Sequence, residues 1–384
     1  MPRRLKIAFI TSLDPNDKRS WSGISYYTKK ALEKHCGDVY VLKIKNPFLI
    51  LFYGKIKSYL TQKILRKRYN YKHSIILSKK YGKLFSEVLN KNKYDIVFAP
   101  AASTEMAFVK TTIPIVNLSD TTFFNMINYY PAFSNLLQIS KKEGMEIEQR
   151  SLSQSSLLLY PSYWAAKSAI ADYKIHPSKI HVIPLGANLE KIPTVEVLLK
   201  KQKAATCRLL FLGVNWNRKG GDIAFDTLLH LEKKGIQTEL TICGCIPPPN
   251  IIHRNIKVIP FINKNEVGGQ QQFFDLLLNS DFLLLPTRAE CYGIVFCEAS
   301  AFGLPSITTN TGGIESAIKN TKNGFLLPLN AGGVEYANII MDNYCDDEKY
   351  YSLIKSTRKV FDTELNWDNW SIKVKEILEK YFSE

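Results

Sequence analysis

The chain has 384 residues, 51 Lys and Arg against 35 Asp and Glu, a formal net charge of +16, and a hydrophobic fraction of 45%. This length makes two domains the natural division, and the apolar content is enough for substantial cores. No apolar run approaches the roughly 20 residues of a membrane span. The N-terminus runs into a strand-like segment without the apolar region and cleavage site of a secretory signal. The seven cysteines, an odd number without zinc-type spacing, read as reduced thiols of a cytoplasmic protein.

In chain order, Lys6–Ile10 reads as a first strand, and Ser22-Gly23 opens a helix over Ile24–His35. Strands follow at Val39–Leu42, Asp95–Ala99, Pro114–Leu118, Ser156–Tyr160 and Ile180–Ile183, with helices such as Ser74–Lys91 and Tyr163–Tyr173 between them. Strands alternating with helices predict a parallel, doubly wound sheet. Beyond Pro184–Asn188 the polar, Lys-rich residues 189–206 read as a linker. A second series then runs through Arg208–Leu212, Thr238–Ile242, Ile256–Ile259, Asp281–Leu285, Ser306–Thr309 and Gly324–Leu327. The expected fold class is α/β: two Rossmann-like domains, 1–188 and 207–367, facing a central cleft. A terminal helix over 368–384 is expected to pack on the first domain.

The charge is uneven. Residues 1–200 hold 31 basic and 14 acidic residues, the remaining 184 hold 20 and 21, and residues 41–93 hold 14 basic residues and one acid, Glu87. Such a face attracts anions: lipid headgroups, lipid-linked phosphates or nucleic acid. Within it, Pro47–Tyr53 is apolar. A helix over 54–68 would carry Ile56, Leu60 and Ile64 on one side and Lys57, Lys63, Lys67 and Arg68 on others. That is the pattern of an interfacial amphipathic helix, or of a core-facing helix with a solvated basic face.

The chemistry concentrates in Glu290-Cys-Tyr-Gly-Ile-Val-Phe-Cys-Glu298. The apolar run up to Pro286 is a strand, and Ile294–Phe302, stopped by Gly303 and Pro305, is a helix. One carboxylate therefore sits in the loop and the other about two turns into the helix. A helix start beyond a strand's carboxyl end offers backbone N–H groups and a positive dipole end to a phosphate, and the acids can accept hydrogen bonds from sugar hydroxyls. Upstream, Gly213-Val-Asn-Trp-Asn-Arg218-Lys219-Gly220-Gly221-Asp222 follows the second domain's first strand. It places two cations there, and Asp222 is expected to cap the helix Ile223–Glu232.

The Glu-x(7)-Glu spacing, followed by Ala299, Gly303-Leu-Pro305 and Thr311-Gly-Gly-Ile-Glu315, resembles family 4 of the retaining glycosyltransferases, enzymes of the GT-B architecture. The resemblance covers most of residues 205–330 and is weaker over the first half. It implies that Arg218 and Lys219 bind the donor's diphosphate, that Glu290 faces the transferred sugar, and that Glu298 accepts from the donor ribose. It also implies that the backbone of Gly293, Ile294 and Val295 meets the phosphates, with Tyr292 among the donor-binding candidates beside them. Phe261 and Ile262 lie where the family holds the base, although Phe261 reads as core by residue type. In the first domain Gly23 is a partial match to the family's Gly-rich loop. Asp120 stands near the position where many members carry a His, and this chain has none there.

The expectation is a retaining glycosyltransferase of the hexosyltransferase type, independent of metal and cofactor. It would use a nucleotide-diphosphate sugar and a lipid-linked or surface-glycan acceptor, as in polysaccharide or lipopolysaccharide synthesis. It would be cytoplasmic, peripheral on the inner membrane face through residues 47–72, with no nucleic-acid partner. The alternatives are the same fold acting on a small soluble acceptor, or a non-catalytic protein binding anionic surfaces.

Overall fold

The computed structural model describes residues 4–383. Residues 1–3 of the expected first domain and residue 384 of the expected terminal helix lie outside the described residues. The chain divides into two compact units: residues up to Ile183 together with those from Ser371 on, and Pro184–Trp370.

The first unit is a six-stranded parallel sheet in the order β2-β1-β3-β4-β5-β6. Its strands are β1 (Leu5–Phe9), β2 (Gly37–Val41), β3 (Ile96–Pro100), β4 (Ile115–Leu118), β5 (Leu157–Tyr160) and β6 (Ile180–Val182). Strands β3, β4 and β5 are buried along their whole length. They are apolar runs because helices cover both faces of such a sheet. Three long helices early in the chain are α1 (Ile24–His35), α2 (Phe48–Leu65) and α3 (Ile75–Leu89). Leu77, Tyr81, Phe85 and Leu89 of α3 share one core with Ala8, Val97 and Ala99 of the sheet. The terminal helix, Trp367–Ser383, gives this unit its stretch from Ser371 onward, where the Ser371 carbonyl accepts from the Cys36 thiol at 3.6 Å.

The second unit repeats the plan in the order β12-β11-β10-β7-β8-β9, again with every neighbouring pair parallel. Its strands are β7 (Cys207–Leu212), β8 (Thr238–Cys243), β9 (Ile256–Ile259), β10 (Phe282–Leu285), β11 (Ser306–Thr309) and β12 (Gly324–Leu327). The chain winds outward through β8 and β9, returns to β10 beside β7, and winds outward the other way. The carboxyl ends of β7 and β10 are thus the topological switch point, where open α/β sheets bind ligands. At the opposite end of these strands, buried Asp281 fixes β10 to β7. Arg208 grips its carboxylate at 3.0 and 2.9 Å, Tyr350 donates to it at 2.7 Å, and Lys201 lies 3.5 Å away. Burial alone would raise the Asp281 pKa, but the two cations outweigh it and hold the carboxylate below its ordinary range.

Two readings change. Residues 189–206, expected as a linker, fold within the second unit. Val195–Leu199 is a short helix with Leu198 buried, and the Pro193 carbonyl accepts from Arg358 at 2.6 Å. The basic segment forms one helix from Phe48 to Leu65, beginning six residues earlier than expected, and no residue in it is buried.

Candidate functional site

The loop after β7 is a short helix, Trp216–Lys219, capped by the Asn215 side chain, which accepts the Arg218 N–H at 2.8 Å. It ends at Gly220 in the left-handed conformation (φ 73°), where a Cβ would lie 1.9 Å from the Pro286 carbonyl. Only glycine lets this turn lie against the end of β10. The next helix is Gly221–Lys233, with Gly220 rather than Asp222 at its cap. Asp222 instead pairs with Arg288 at 2.7 Å, and Arg288 donates its backbone N–H to the Arg218 carbonyl at 2.7 Å. The loops after β7 and β10 are thereby stitched together.

This stitching brings Arg218, Lys219 and Glu290 into one cluster. Lys219, only 8% exposed, donates through Nζ to Glu290 Oε2. Arg218 Nη1 donates to the Ala289 carbonyl at 2.7 Å and lies 3.5 Å from the same carboxylate oxygen. Burial would raise the Glu290 pKa. The ammonium of Lys219 and the guanidinium of Arg218 reverse that, so the carboxylate stays charged below its usual range. Two cations and one anion leave a net positive charge over the switch point.

Gly293 follows Glu290 and caps the helix Ile294–Ala301 in the left-handed conformation (φ 84°). A Cβ there would lie 2.4 Å from the Phe296 ring and 3.2 Å from Glu290 Cγ. The helix therefore starts beside the cation cluster, and its first-turn N–H groups have no helical carbonyl before them. The loop after β11 joins here, because the Gly313 N–H donates to the Glu290 carbonyl at 3.3 Å.

Glu298 is 2% exposed, and its Oε1 accepts from Lys264 Nζ at 2.7 Å. Burial raises its pKa and Lys264 only partly opposes the rise. Lys264 also lies over the Phe273 ring at 4.5 Å. Sequence reasoning missed Lys264. The available signal was its place in the loop after β9, at the sheet edge where the ligand-facing loops gather. Phe261 in that loop is 63% exposed, not core as its residue type suggested, and Ile262 is half-buried. The side chain of Tyr292 is fully buried, and its hydroxyl donates to the Leu185 carbonyl at 3.2 Å. It braces the loop from behind, which leaves only its backbone to a ligand. Ile294 and Val295 are half-buried.

In the first unit, Trp21 (φ 47°), Ser22 (φ 55°) and Gly23 (φ 88°) are three successive left-handed residues leading into α1. Non-glycine residues hold such angles at a cost of order 1–3 kcal/mol. Asp120, half-buried, follows β4, and Thr122 after it caps a short helix by accepting the Asn125 N–H at 3.3 Å. Among the described residues, no three His, Cys, Asp or Glu side chains gather as a metal-ion site.

Residues 206–343 match the family of glycosyl transferases group 1. D-inositol 3-phosphate glycosyltransferase of Jonesia denitrificans is 23% identical over 202 residues, covering 47% of this chain and 47% of that protein. The matches span about half the length of most of the curated relatives. Sucrose-phosphate synthase of Thermosynechococcus elongatus superposes with a TM-score of 0.67 at 16% identity, covering 99% of this chain and all of that one. HepE of Anabaena in complex with UDP and glucose superposes with a TM-score of 0.62 at 16% identity, covering 99% of this chain and 100% of that one. The chain thus has the fold of the GT-B glycosyltransferases, and residues 206–343 of its second unit are similar to the group 1 glycosyl transferases.

Proposed function

We propose that this protein is a retaining glycosyltransferase that moves a sugar from a nucleotide-diphosphate sugar to a lipid-linked or surface-glycan acceptor. One observation carries the reading. Arg218 and Lys219 converge on Glu290 beside the start of the helix Ile294–Ala301, over the β7–β10 switch point. HepE, a structural neighbour bound to UDP and glucose, supports a nucleotide-sugar donor.

The diphosphate lies against the N–H groups of Gly293, Ile294 and Val295 and within reach of the two cations. As the bond from the anomeric carbon to the phosphate oxygen breaks, negative charge grows on the leaving group. Fixed cations in a poorly solvated site stabilise that charge more in the transition state than in the ground state. The acceptor oxygen bonds to the same face of the sugar, and its proton passes to the departing phosphate oxygen, which retains the anomeric configuration. No metal ion is needed, because Arg218 and Lys219 supply the charge. Glu290 accepts from hydroxyls of the transferred sugar. Glu298, held by Lys264, accepts from the ribose, and Phe261 and Ile262 flank the base. In the first unit, Gly23 and Asp120 are the proposed ligand-binding residues. The basic first half of the chain favours an acceptor carrying phosphate. A soluble acceptor is the second reading, favoured by the similarity to D-inositol 3-phosphate glycosyltransferase.

The test is thermal unfolding with UDP-, GDP- and ADP-sugars, followed by NMR of the product's anomeric configuration. A donor at 100 times its Kd should add about 2.7 kcal/mol of stability. Inversion at the anomeric carbon, or no stabilisation by any nucleotide sugar, refutes the proposal, and loss of activity in EDTA refutes its metal-independence.

A further inference from the structure

Helix α2 is built inside out. Its 18 residues, Phe48–Leu65, include none that is buried. At about 100° per residue, Ile50, Gly54, Ser58 and Thr61 fall on one narrow side, and all four are half-buried. Gly54 lies against Tyr71, where a Cβ would meet the Tyr71 side chain at 2.7 Å, and Ile50 and Leu51 pack on the sheet's core. The broad opposite arc, about 160° wide by the same geometry, holds Phe48, Leu49, Phe52, Tyr53, Ile56, Tyr59, Leu60 and Ile64. These run from 41% exposed at Ile56 to 72% at Ile64. A helix seated on a soluble domain ordinarily turns its large apolar residues inward. This one seats Gly54, Ser58 and Thr61 with Ile50 and Leu51, and turns its aromatic and most of its aliphatic side chains outward.

The charges in and around this arc decide what covers it. Lys55, Lys63, Arg66 and Lys67 are exposed along the helix and just beyond it, and residues 41–93 carry 14 basic residues and one acid. A large exposed apolar patch marks an interaction surface, and one set among so many cations with almost no anions fits an apolar layer with an anionic face. No helix among the described residues is long and apolar enough to cross a membrane.

We infer that α2 docks the protein on an anionic lipid bilayer, its aromatic-aliphatic arc inserted among the acyl chains and its lysines and arginines at the headgroups. The occupant is the lipid surface itself, independent of which acceptor the enzyme uses. Each basic residue near an anionic surface contributes roughly fivefold in binding, and the contribution is screened by salt.

The test is co-sedimentation of the full chain with vesicles of phosphatidylcholine alone, or with 30% phosphatidylglycerol, at about 0.1 and 0.5 M NaCl. Wild-type protein should bind the anionic vesicles at low salt at least tenfold better than the neutral ones, and salt should weaken that binding. The variant Phe48→Ser/Phe52→Ser/Tyr59→Ser should lose at least tenfold. The variant Lys55→Gln/Lys63→Gln/Lys67→Gln should lose the salt dependence. Donor hydrolysis in solution should stay unchanged in both, which shows that they fold. As a second readout, Phe52→Trp should shift its tryptophan emission to the blue on anionic vesicles only. Three results would overturn the inference: no preference for anionic vesicles, unchanged binding in the serine variant, or a concentration-dependent dimer of the chain that the serine variant abolishes without vesicle binding in either protein.

Discussion

Lys219→Ala probes the proposed leaving-group chemistry. Lys219 is almost wholly buried and donates to Glu290, whose carboxylate also lies 3.5 Å from Arg218. A unit charge about 4 Å from a developing phosphate charge is worth about 4 kcal/mol at an effective dielectric near 20. Removing one such donor typically costs about 10²–10³ in turnover. The expected outcome is a fall of that size in kcat for sugar transfer or donor hydrolysis, with a smaller change in donor affinity. Stability responds separately. Stranding a partner of a buried pair costs about 3–5 kcal/mol, but Arg218 remains, so about 1–3 kcal/mol is expected. The pH dependence has a definite sign. In the wild type the Glu290 pKa is depressed, so its stabilisation is present above the unfolded carboxyl value and is lost as pH falls through the lower folded value. In the variant the Lys219 contribution is gone and that depression is smaller, so the deficit is largest near neutral pH and shrinks on acidification. Thermal melts from pH 4 to 8 and steady-state kinetics at neutral pH measure both effects. A kcat within about threefold of wild type, in a folded variant, refutes the assignment of Lys219 to the departing phosphate.

Glu298→Ala removes a buried acceptor and should weaken nucleotide binding about 10- to 100-fold, the worth of one or two hydrogen bonds to a charged group, leaving kcat nearly unchanged; calorimetric titration with the nucleotide checks it. Gly293→Ala forces a Cβ into the Phe296 ring at a left-handed φ and should cost about 1–3 kcal/mol, with a lowered Tm and weaker donor affinity; a wild-type Tm would contradict the loop conformation. Glu148 in the first unit is buried, and burial lifts its carboxyl to about 7 against an opposing Ser103 hydrogen bond. Its folded pKa is raised, so ionising it costs stability progressively from the ordinary carboxyl value up to about pH 7, a total of about 3 kcal/mol. Glu148→Gln should therefore raise the Tm at pH 8 and leave it unchanged near pH 4.5; equal effects at both would rule out a buried neutral carboxyl.

The twelve strands were legible because a parallel sheet covered on both faces is written as short apolar runs, such as Phe282–Leu285, closed by Gly, Pro or polar residues. The start of α1 at Ile24 and that of the helix at Ile294 were legible from the glycine before each, since a helix can open there from a left-handed residue. Arg218, Lys219, Glu290 and Glu298 stood out by type and spacing, and the family resemblance supplied their expected roles. What the linear order did not contain was pairing across the sheet. That Lys219 and Arg218 meet Glu290, which is 71 residues beyond Lys219, follows from β10 returning to lie beside β7. That Lys264 holds Glu298 follows from the loop after β9 reaching the same edge. Tyr292 looked like a donor-binding residue until packing turned its ring inward, and of the two readings of α2, interfacial or core-facing, the exposure of its large residues opposes the core-facing one. Local periodicity specifies strands and helices because backbone geometry repeats every two or 3.6 residues. Which side chains share a charge or a cavity is decided by strand order, which brings residues distant in sequence within a few ångströms of one another.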